Sequence, residues 1–192
     1  YAPYFYRYMG YAKDLCAPMT ILRANGIAAL FSGPTPRILE NDLITGSKHC
    51  LYITENECIL NHAKDIVDKV GLRGMGRNSD HFAPNYRHVV AVGVPGLLRE
   101  VEGSLKAHEG DEKRCETLRG MRTTLEGFRH MILNYADRAR EMMASGRSDA
   151  ERLRFIADNC SAIAQRAPES FAEALQLVWF CHTAFVMEGR YA

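Results

Sequence analysis

The fold of this chain is organised around residues 79–108, SDHFAPNYRHVVAVGVPGLLREVEGSLKAH. The stretch opens on Asp80 and His81, shortly before Pro84, and a proline at a first helical position keeps the residues before it extended. Apolar residues at helical spacing follow, and residues 93–96, which contain glycine and proline, interrupt them. The pattern predicts two consecutive amphipathic helices, with an acid and a histidine at the mouth of the first.

The overall composition is that of an ordinary globular domain. The chain has 192 residues, of which 47% are apolar, which is enough for a real core. Lys and Arg number 24 against 23 Asp and Glu, a balance that disfavours nucleic acid and anionic membranes as partners. The longest apolar run, Ala174–Met187, contains Gln176 and His182 and is too short to cross a bilayer. We therefore expect neither nucleic acid nor membrane as a partner.

The cysteines indicate a reducing compartment. The six are scattered along the chain: Cys16, Cys50, Cys58, Cys115, Cys160 and Cys181. Because Cys160 and Cys181 lie on the apolar faces of predicted helices, we expect free thiols and a cytoplasmic location. The chain does not begin with Met and shows no basic-then-apolar leader, so no targeting peptide is predicted.

The first part of the chain predicts short elements. The tyrosine-rich residues 1–11 suit an arm laid against a larger body better than a nucleic-acid stacking platform, because Arg7 alone supplies charge there. A helix follows Pro18 and ends at residues 32–34, Ser-Gly-Pro. Residues 38–47, ILENDLITGS, suit a tight turn leading into a short strand that residues 49–54 would continue.

The second part predicts long helices. Residues 58–70 are predicted to form a helix that the glycine-rich residues 71–78 end. Residues 111–143 form one long helix with a packing seam. The seam residues recur alternately three and four apart: Leu118, Met121, Leu125, Phe128, Ile132, Tyr135, Ala139 and Met142.

Two capping boxes follow. Ser148 with Glu151 opens a helix that buries Leu153, Ile156, Cys160 and Ile163 and packs antiparallel to the long helix. A second box, residues 170–173, opens a last helix. That helix is apolar nearly all round, so we expect it to be buried on several sides by a partner surface or by sequence beyond residue 192.

Asp80 and His81, with Tyr86 nearby, form the first candidate site, because a carboxylate beside an imidazole can bind a polar substrate or pass a proton. The alternative is helix capping by Asp80 and a surface histidine.

The glycine-rich residues 71–77, which include Arg73 and Arg77, form a second candidate site. They could bind an anion or be a mobile loop that touches a substrate's acidic end.

Two further groups of side chains are candidates for a site. His49, Cys50, Cys58 and His62 have the side chains of a zinc site but not its close spacing, so core thiols and surface histidines are the better interpretation, and no metal is predicted. The last helix carries Trp179, His182 and Glu188. We interpret its histidine as a hydrogen-bonded core residue, and expect Glu188 to bond neighbouring backbone groups.

Several blocks of the sequence resemble the glycyl radical enzymes, the pyruvate formate-lyase-like superfamily. The blocks cover most of the chain in the family's order: MTILRANGIAALF at 19–31, LENDLITGS at 39–47, DHFAPNYRHVVAVGVPGLLREVEGSL at 80–105, ILNYADRAREM at 132–142 and IADNCSAIAQRAPESFAEALQLVWFCHTAFVMEG at 156–189. The last block is the most specific. Residues 1–192 then resemble the N-terminal portion of a pyruvate formate-lyase-like domain.

The resemblance implies a fold and a chemistry. The fold would be mainly α, the helical N-terminal part of a large ten-stranded α/β barrel that is incomplete in this chain. A separate activating enzyme, dependent on S-adenosylmethionine and an iron–sulfur cluster, would install a glycyl radical, which passes to a cysteine that attacks a small-molecule substrate. Both the radical glycine and that cysteine lie beyond Ala192 in the family's pattern, so we expect no catalytic residue here, no bound cofactor and no activity from this portion alone.

The resemblance also favours one branch of the family. His81 matches the histidine that helps to bind substrate hydroxyl groups in eliminating members, so a dehydratase or carbon–heteroatom lyase is preferred, acting as a homodimer. Substrate-binding roles are expected for His81, Asp80, Arg77 and Tyr86. An arylacetate decarboxylase, a formate C-acetyltransferase-type enzyme and a non-catalytic helical interaction module remain alternatives. The span between residues 47 and 79 is shorter than is usual in the family.

Overall fold

A computed structural model describes residues 2–47, 65, 83–146 and 149–188, and all regular elements within these residues are helices. The helices are α1 (Ala2–Tyr11), α2 (Met19–Ser32), α3 (Tyr86–Ala107), α4 (Glu112–Ala144), α5 (Ala150–Gln165) and α6 (Phe171–Glu188). The mainly α class is confirmed. Of the helix predicted over residues 58–70, only Asp65 is described, and it is helical. The rest of that prediction lies outside the described residues.

Helix α4 is the axis of the bundle, and α2, α3 and α5 each pack against it. Asp111 caps it, because its carboxylate accepts a hydrogen bond from the Arg114 N–H at 3.1 Å. In the C-terminal half the predicted seam is confirmed, and its members are buried: Phe128, Ile132, Tyr135, Ala139 and Met142.

In the N-terminal half of α4 the predicted seam is wrong. Met121 is 51% exposed, and Leu118 and Leu125 are only half-buried. Glycines take the place against α2 instead, since a Cβ on Gly127 would lie 2.4 Å from Cα of Ala28. The spacing rule fails here because glycine, which an apolar-periodicity argument does not count, lets the two backbones approach closely.

Helix α5 runs antiparallel to α4, as predicted. Arg140, late in α4, bonds Ser161, whereas the earlier Arg129 donates to the Ala164 carbonyl at 2.8 Å. The four predicted core residues of α5 are buried: Leu153, Ile156, Cys160 and Ile163. Ser148 of the predicted capping box lies outside the described residues, and Asp149 stands at the N-cap.

The described residues bury helix α6 on one face. Leu177, Phe180, Ala184 and Met187 lie in the core. The opposite face carries large apolar residues that the described parts of the chain leave exposed: Phe171 (83%), Leu175 (42%) and Trp179 (43%). The described residues thus leave an apolar stripe on the surface, which agrees with the expectation that a partner surface or other sequence covers the remaining sides of this helix.

The N-terminal aromatic residues do lie against a larger body, as predicted. They form helix α1, which packs on α2 and buries Tyr8 and Tyr11. The contact is close because Gly26 of α2 has no side chain, and a Cβ there would lie 2.4 Å from the Tyr11 ring. None of the helices in the described ranges is long and apolar enough to cross a membrane.

The turn predicted in residues 38–47 is present, but the strand is not. The Asp42 carboxylate accepts from the Leu39 N–H at 2.9 Å, and the Asp42 N–H donates to the Leu39 carbonyl at 3.2 Å. Residues up to Ser47, the last one described there, form no strand. Residues 49–54, where a continuation was predicted, lie outside the described residues.

Helix α3 is broken at Gly93, as predicted, but it resumes one residue later rather than after Gly96. Gly93 has φ 65° and ψ 174°, and Pro95 occupies the first turn of the second segment, where a proline N–H is not needed. The helix begins at Tyr86, where the Asn85 side chain accepts from the His88 N–H at 3.2 Å. The cap is therefore Asn85, and Pro84 lies before the helix.

Replacing Gly93 by alanine should destabilise the fold. The backbone there has a positive φ, and a Cβ would lie 2.7 Å from Cα of Ala167 in the turn before α6. We expect Gly93→Ala to lower the free energy of unfolding by at least about 2 kcal/mol in urea denaturation. Gly103→Ala, on the same helix with nothing within 4 Å of the new Cβ, should raise it by about 0.5–1 kcal/mol. Equal effects would contradict this account.

Candidate functional site

Tyr86 is the one predicted substrate-binding residue that the structure describes. It is the first residue of α3, is half-buried, and packs against the core. Burial raises the pKa of its phenol, and the nearby Cys181 of α6 raises that pKa further. Tyr86 therefore sits where α3 meets α6. Arg77, Asp80 and His81 lie outside the described residues.

The predicted alternatives for a metal or an anion cannot be placed. His49, Cys50, Cys58, His62 and the glycine-rich loop at residues 71–77 lie outside the described residues. Within the described ranges, no three His, Cys, Asp or Glu side chains come together in a way that could hold a metal ion.

The four thiols that the structure describes are free, and burial makes two of them unreactive. Cys115, Cys160 and Cys181 are buried, and Cys16 is exposed. Burial raises the pKa of Cys160 and that of Cys181 to about 12. Both thiols are therefore protonated at neutral pH, which suits core packing and not nucleophilic chemistry.

The start of α6 is held by a buried carboxylate. Glu173 accepts two bonds from the Arg166 guanidinium, at 2.7 and 2.9 Å, and a third from the Glu169 N–H at 2.7 Å. Ser170 Oγ accepts from the Glu173 N–H at 3.2 Å, so this capping box is confirmed on the hydroxyl side. Its carboxylate reaches Glu169 rather than the cap itself. These bonds, led by those from Arg166, lower the pKa of Glu173.

Side chains in the middle of α6 form hydrogen bonds with the backbone of the segment that follows the turn in residues 38–47. Gln176, which is fully buried, accepts from the Thr45 N–H at 2.8 Å and donates to the Thr45 carbonyl at 2.6 Å. The Trp179 indole N–H donates to the Gly46 carbonyl at 2.8 Å. The Ser47 N–H donates to the Tyr135 hydroxyl at 3.3 Å. Side chains thus provide the hydrogen bonds that a neighbouring strand would otherwise make.

The turn itself is fixed by α5. Arg152 donates to the Leu39 carbonyl at 3.1 Å and to the Asp42 carbonyl at 2.7 Å, and it pairs with Asp149 at the start of α5. Three helices therefore fix the course of residues 39–47, which the sequence treats as a loop and strand.

His182 is not the core residue that we predicted. It is half-buried, and its ring stacks on Trp179 with centroids 5.3 Å apart and planes at 31°. The prediction is wrong because His182 lies one turn after Trp179, on the exposed side of α6. The aromatic pair is part of the surface stripe of that helix.

The end of α6 is tied to α1 by charge. Arg7 is buried and donates to the Glu188 carbonyl at 3.0 Å, and it lies 3.8 Å from the Glu188 carboxylate. Glu188 thus takes part in a long-range ion pair, and its own backbone carbonyl also accepts a hydrogen bond from Arg7. In the sequence Arg7 appears only as the one charge among tyrosines, so this role was missed.

Gln176, Arg152 and Arg7 are the organising residues that sequence reasoning overlooked. Gln176 gave a signal, because it interrupts an apolar helical run and so needs a buried partner. Arg152 and Arg7 gave none, since a basic residue near a helix end is ordinarily solvated. Through these contacts residues 39–47 are fixed to α5 and α6, and the end of α6 is fixed to α1.

Comparison of the sequence with known protein families shows which family the chain belongs to. Residues 52–192 match the family described as Pyruvate formate lyase-like. The chain belongs to this family. The resemblance expected from the sequence is therefore confirmed, for the N-terminal portion of a pyruvate formate lyase-like, glycyl radical enzyme.

Three relatives give the match its scale. The (2S)-3-sulfopropanediol dehydratase of Klebsiella oxytoca is 30% identical over 118 residues, which are 57% of this chain and 14% of that protein. A structure on 1,2-propanediol dehydration in Roseburia inulinivorans aligns with a TM-score of 0.81 at 19% identity, over 97% of this chain and 30% of that one. A glycyl radical enzyme from Archaeoglobus fulgidus aligns with a TM-score of 0.75 at 18% identity, over 97% and 32%.

The chain thus spans about a third of the length of the solved relatives and 14% of the curated relative. Over that span the helical fold is the fold of the family.

The two hydrogen bonds between Gln176 and Thr45 should contribute more to the free energy of unfolding than an ordinary surface hydrogen bond. In Gln176→Met the Thr45 N–H and carbonyl lose their partners while the side-chain volume is kept. We expect the free energy of unfolding, measured by urea denaturation, to fall by about 2–5 kcal/mol, because unsatisfied buried groups cost about 1–3 kcal/mol each. The matched change Gln165→Met, at an exposed glutamine, should stay within about 0.5 kcal/mol. A similar result for both variants would show that the bonds between Gln176 and Thr45 do not stabilise the fold.

The Glu173 carboxylate should make stability depend on pH. Its pKa is lower in the folded state than the ordinary value of 4.5, so its contribution is full above that value and is lost as the pH falls through the folded pKa. We expect Glu173→Gln to unfold at lower urea than the native chain at pH 7. The difference should shrink below pH 4.5, where the native carboxylate also becomes neutral. A gap that persists in acid would indicate that packing, and not charge, is responsible.

Proposed function

We propose that this chain is part of a glycyl radical dehydratase that cleaves a carbon–oxygen bond of a small polyhydroxylated substrate. The observation that carries the proposal is the 30% identity with (2S)-3-sulfopropanediol dehydratase, within a chain that belongs to the pyruvate formate lyase-like family. The second named relative, on 1,2-propanediol dehydration, supports the same class of substrate: adjacent hydroxyl groups on a short carbon chain.

The radical itself is supplied from outside these residues in this proposal. A glycyl radical, installed by an S-adenosylmethionine-dependent iron–sulfur enzyme, provides hydrogen-atom abstraction through a cysteine. The buried thiols of this chain support that division of roles, because Cys160 and Cys181 are packed in its helical core. Free thiols also fit a cytoplasmic enzyme, and we expect a homodimer.

This chain's own contribution is to bind the substrate and assist its leaving group. We assign His81 as the residue that bonds a substrate hydroxyl and gives a proton to it as it leaves as water. Tyr86, fixed at the α3–α6 contact with a raised pKa, keeps its proton and donates a hydrogen bond to the substrate. Asp80 and Arg77 orient the histidine and the substrate. For 1,2-propanediol the sum is loss of one water to give propanal, with no net oxidation.

The test is turnover of the native protein, activated without oxygen by its radical-installing enzyme. The substrate panel is 1,2-propanediol, glycerol, (2S)-3-sulfopropanediol, a quaternary amine alcohol, an arylacetate and pyruvate with coenzyme A. Aldehyde formation from a diol, followed by coupled reduction with NADH, is the expected result. Decarboxylation of the arylacetate, formate release from pyruvate, or a full glycyl radical without turnover of any diol would overturn the proposal.

Variants separate the assigned residues within that assay. We expect His81→Ala to lower kcat by about 100-fold or more, as for loss of a general acid. Tyr86→Phe should chiefly raise KM, by about tenfold for one lost hydrogen bond. Glycyl radical content, measured by electron paramagnetic resonance, should be unchanged in both, so that a loss of activation is not read as a loss of chemistry. Full activity of His81→Ala would remove its assigned role.

A further inference from the structure

The first segment of α3, residues 86–92, carries Tyr86 and has little anchorage of its own. In the described structure none of its residues is fully buried, and the first buried residue of the helix is Gly93. Tyr86 and Val89, one turn apart, pack against the core from one side of the segment. The direction of the segment is therefore set at Gly93, where the helix breaks.

The break at Gly93 lies against the turn between α5 and α6. A Cβ at Gly93 would lie 2.7 Å from Cα of Ala167 and 3.0 Å from the carbonyl oxygen of Arg166. The space of a side chain is thus filled by the backbone of the turn. Backbone cannot rotate away from a close contact as a side chain can, so a shift of the turn also moves the break.

The turn itself is fixed by Glu173. The Arg166 guanidinium nitrogen that donates to the Glu173 carboxylate at 2.7 Å also donates to the Ala167 carbonyl at 2.9 Å. The other terminal nitrogen of Arg166 bonds the second carboxylate oxygen at 2.9 Å, and the Glu169 N–H donates to the carboxylate at 2.7 Å. One carboxylate, with a side chain that is only 10% exposed, therefore holds residues 166 and 169 on both sides of Ala167.

A second contact crosses the break in α3, but it is a weaker constraint. The His88 ring nitrogen lies 3.0 Å from the Glu100 carboxylate, and the two side chains are 44% and 51% exposed. Water and salt screen an exposed pair of this kind, so it fixes geometry poorly. The contact of Gly93 with Ala167 remains the main constraint on the first segment of α3.

We propose that Glu173 and Arg166 are a positioning pair for the substrate-binding end of α3. They hold the turn against Gly93, and Gly93 in turn directs Tyr86 to its place at the α3–α6 contact. Glu173 touches no substrate in this proposal and acts through Tyr86. The proposal rests on the proposed function for the role of Tyr86 in substrate binding, whereas the dependence of the Tyr86 position on Glu173 does not.

Steady-state kinetics of the native, full-length, activated protein with 1,2-propanediol test the link to substrate. We expect Glu173→Gln to raise KM by about fivefold, less than the loss of the Tyr86 hydroxyl, because the hydroxyl is displaced and not removed. The value of kcat and the glycyl radical content should change by less than about twofold. Arg166→Lys keeps the charge but cannot form two parallel bonds, so it should show the same division between KM and kcat.

A double variant separates positioning from general destabilisation. Glu173→Gln with Tyr86→Phe should have the KM of Tyr86→Phe alone, because a residue that acts through the hydroxyl has no effect once the hydroxyl is gone. The matched control is Asp111→Ala, which removes the cap of α4 and leaves the turn at Gly93 intact. Its KM should equal that of the native protein. Additive effects in the double variant, or an equal rise of KM in Asp111→Ala, would overturn the proposal.

A measurement without turnover tests the position of Tyr86 directly. Fluorotyrosine is placed at position 86 of the full-length protein, and the fluorine-19 chemical shift is recorded without substrate or activation. We expect a displaced signal in Glu173→Gln and in Arg166→Lys, and the native signal in Asp111→Ala. An unchanged signal in the first two variants would overturn the positioning role even if the diol is converted. A displaced signal in a protein that converts no diol would support the positioning of Tyr86 and overturn the proposed function instead.

Discussion

The buried backbone at Thr45 is the constraint on which the arrangement of this chain depends. A peptide group shielded from water needs partners for its N–H and its carbonyl, and Gln176 supplies both. Because Gln176 lies in the middle of α6, this one amide fixes the loop after α2 to a helix more than a hundred residues later. Trp179 and Tyr135 extend the same arrangement to the next two residues. The segment is not a strand, but side chains provide its backbone with the hydrogen bonds that a neighbouring strand would provide in a sheet.

A second constraint keeps the helices in register around this clasp. Arg152 holds the turn that precedes Thr45, Glu173 fixes the beginning of α6 through Arg166, and Arg7 holds its end. Each joins elements that are distant in sequence or on either side of a turn. Arg152, Glu173 and Arg7 have little exposure, and Arg152 and Glu173 each make several hydrogen bonds, which is the condition under which an ion pair specifies geometry.

Much of the fold could be predicted from the sequence, and the failures have physical causes. Helices α2, α4 and α5 follow from apolar spacing and from stop signals such as the glycine and proline after Ser32, because periodicity reports which face is buried. The prediction of a strand after the turn in residues 38–47 was wrong. β-branched residues beside a turn predict extended backbone, but they do not predict which groups form hydrogen bonds with that backbone. The seam in the N-terminal half of α4 was wrong because Gly120 and Gly127, not leucines, face α2. Of the predicted substrate-binding residues only Tyr86 lies in the described structure, so for the site the sequence remains the main source.

The signature block in α6 identifies the family for a reason that differs from catalysis. Glu173 anchors the helix, Gln176 clasps a backbone, and Trp179 bonds the next carbonyl. These are tasks of assembly, and any member that builds the same helix against the same loop requires them whatever it converts. A match to this block therefore predicts the fold strongly and the substrate weakly. Substrate choice must lie with residues that the fold leaves free to vary, such as those before Tyr86.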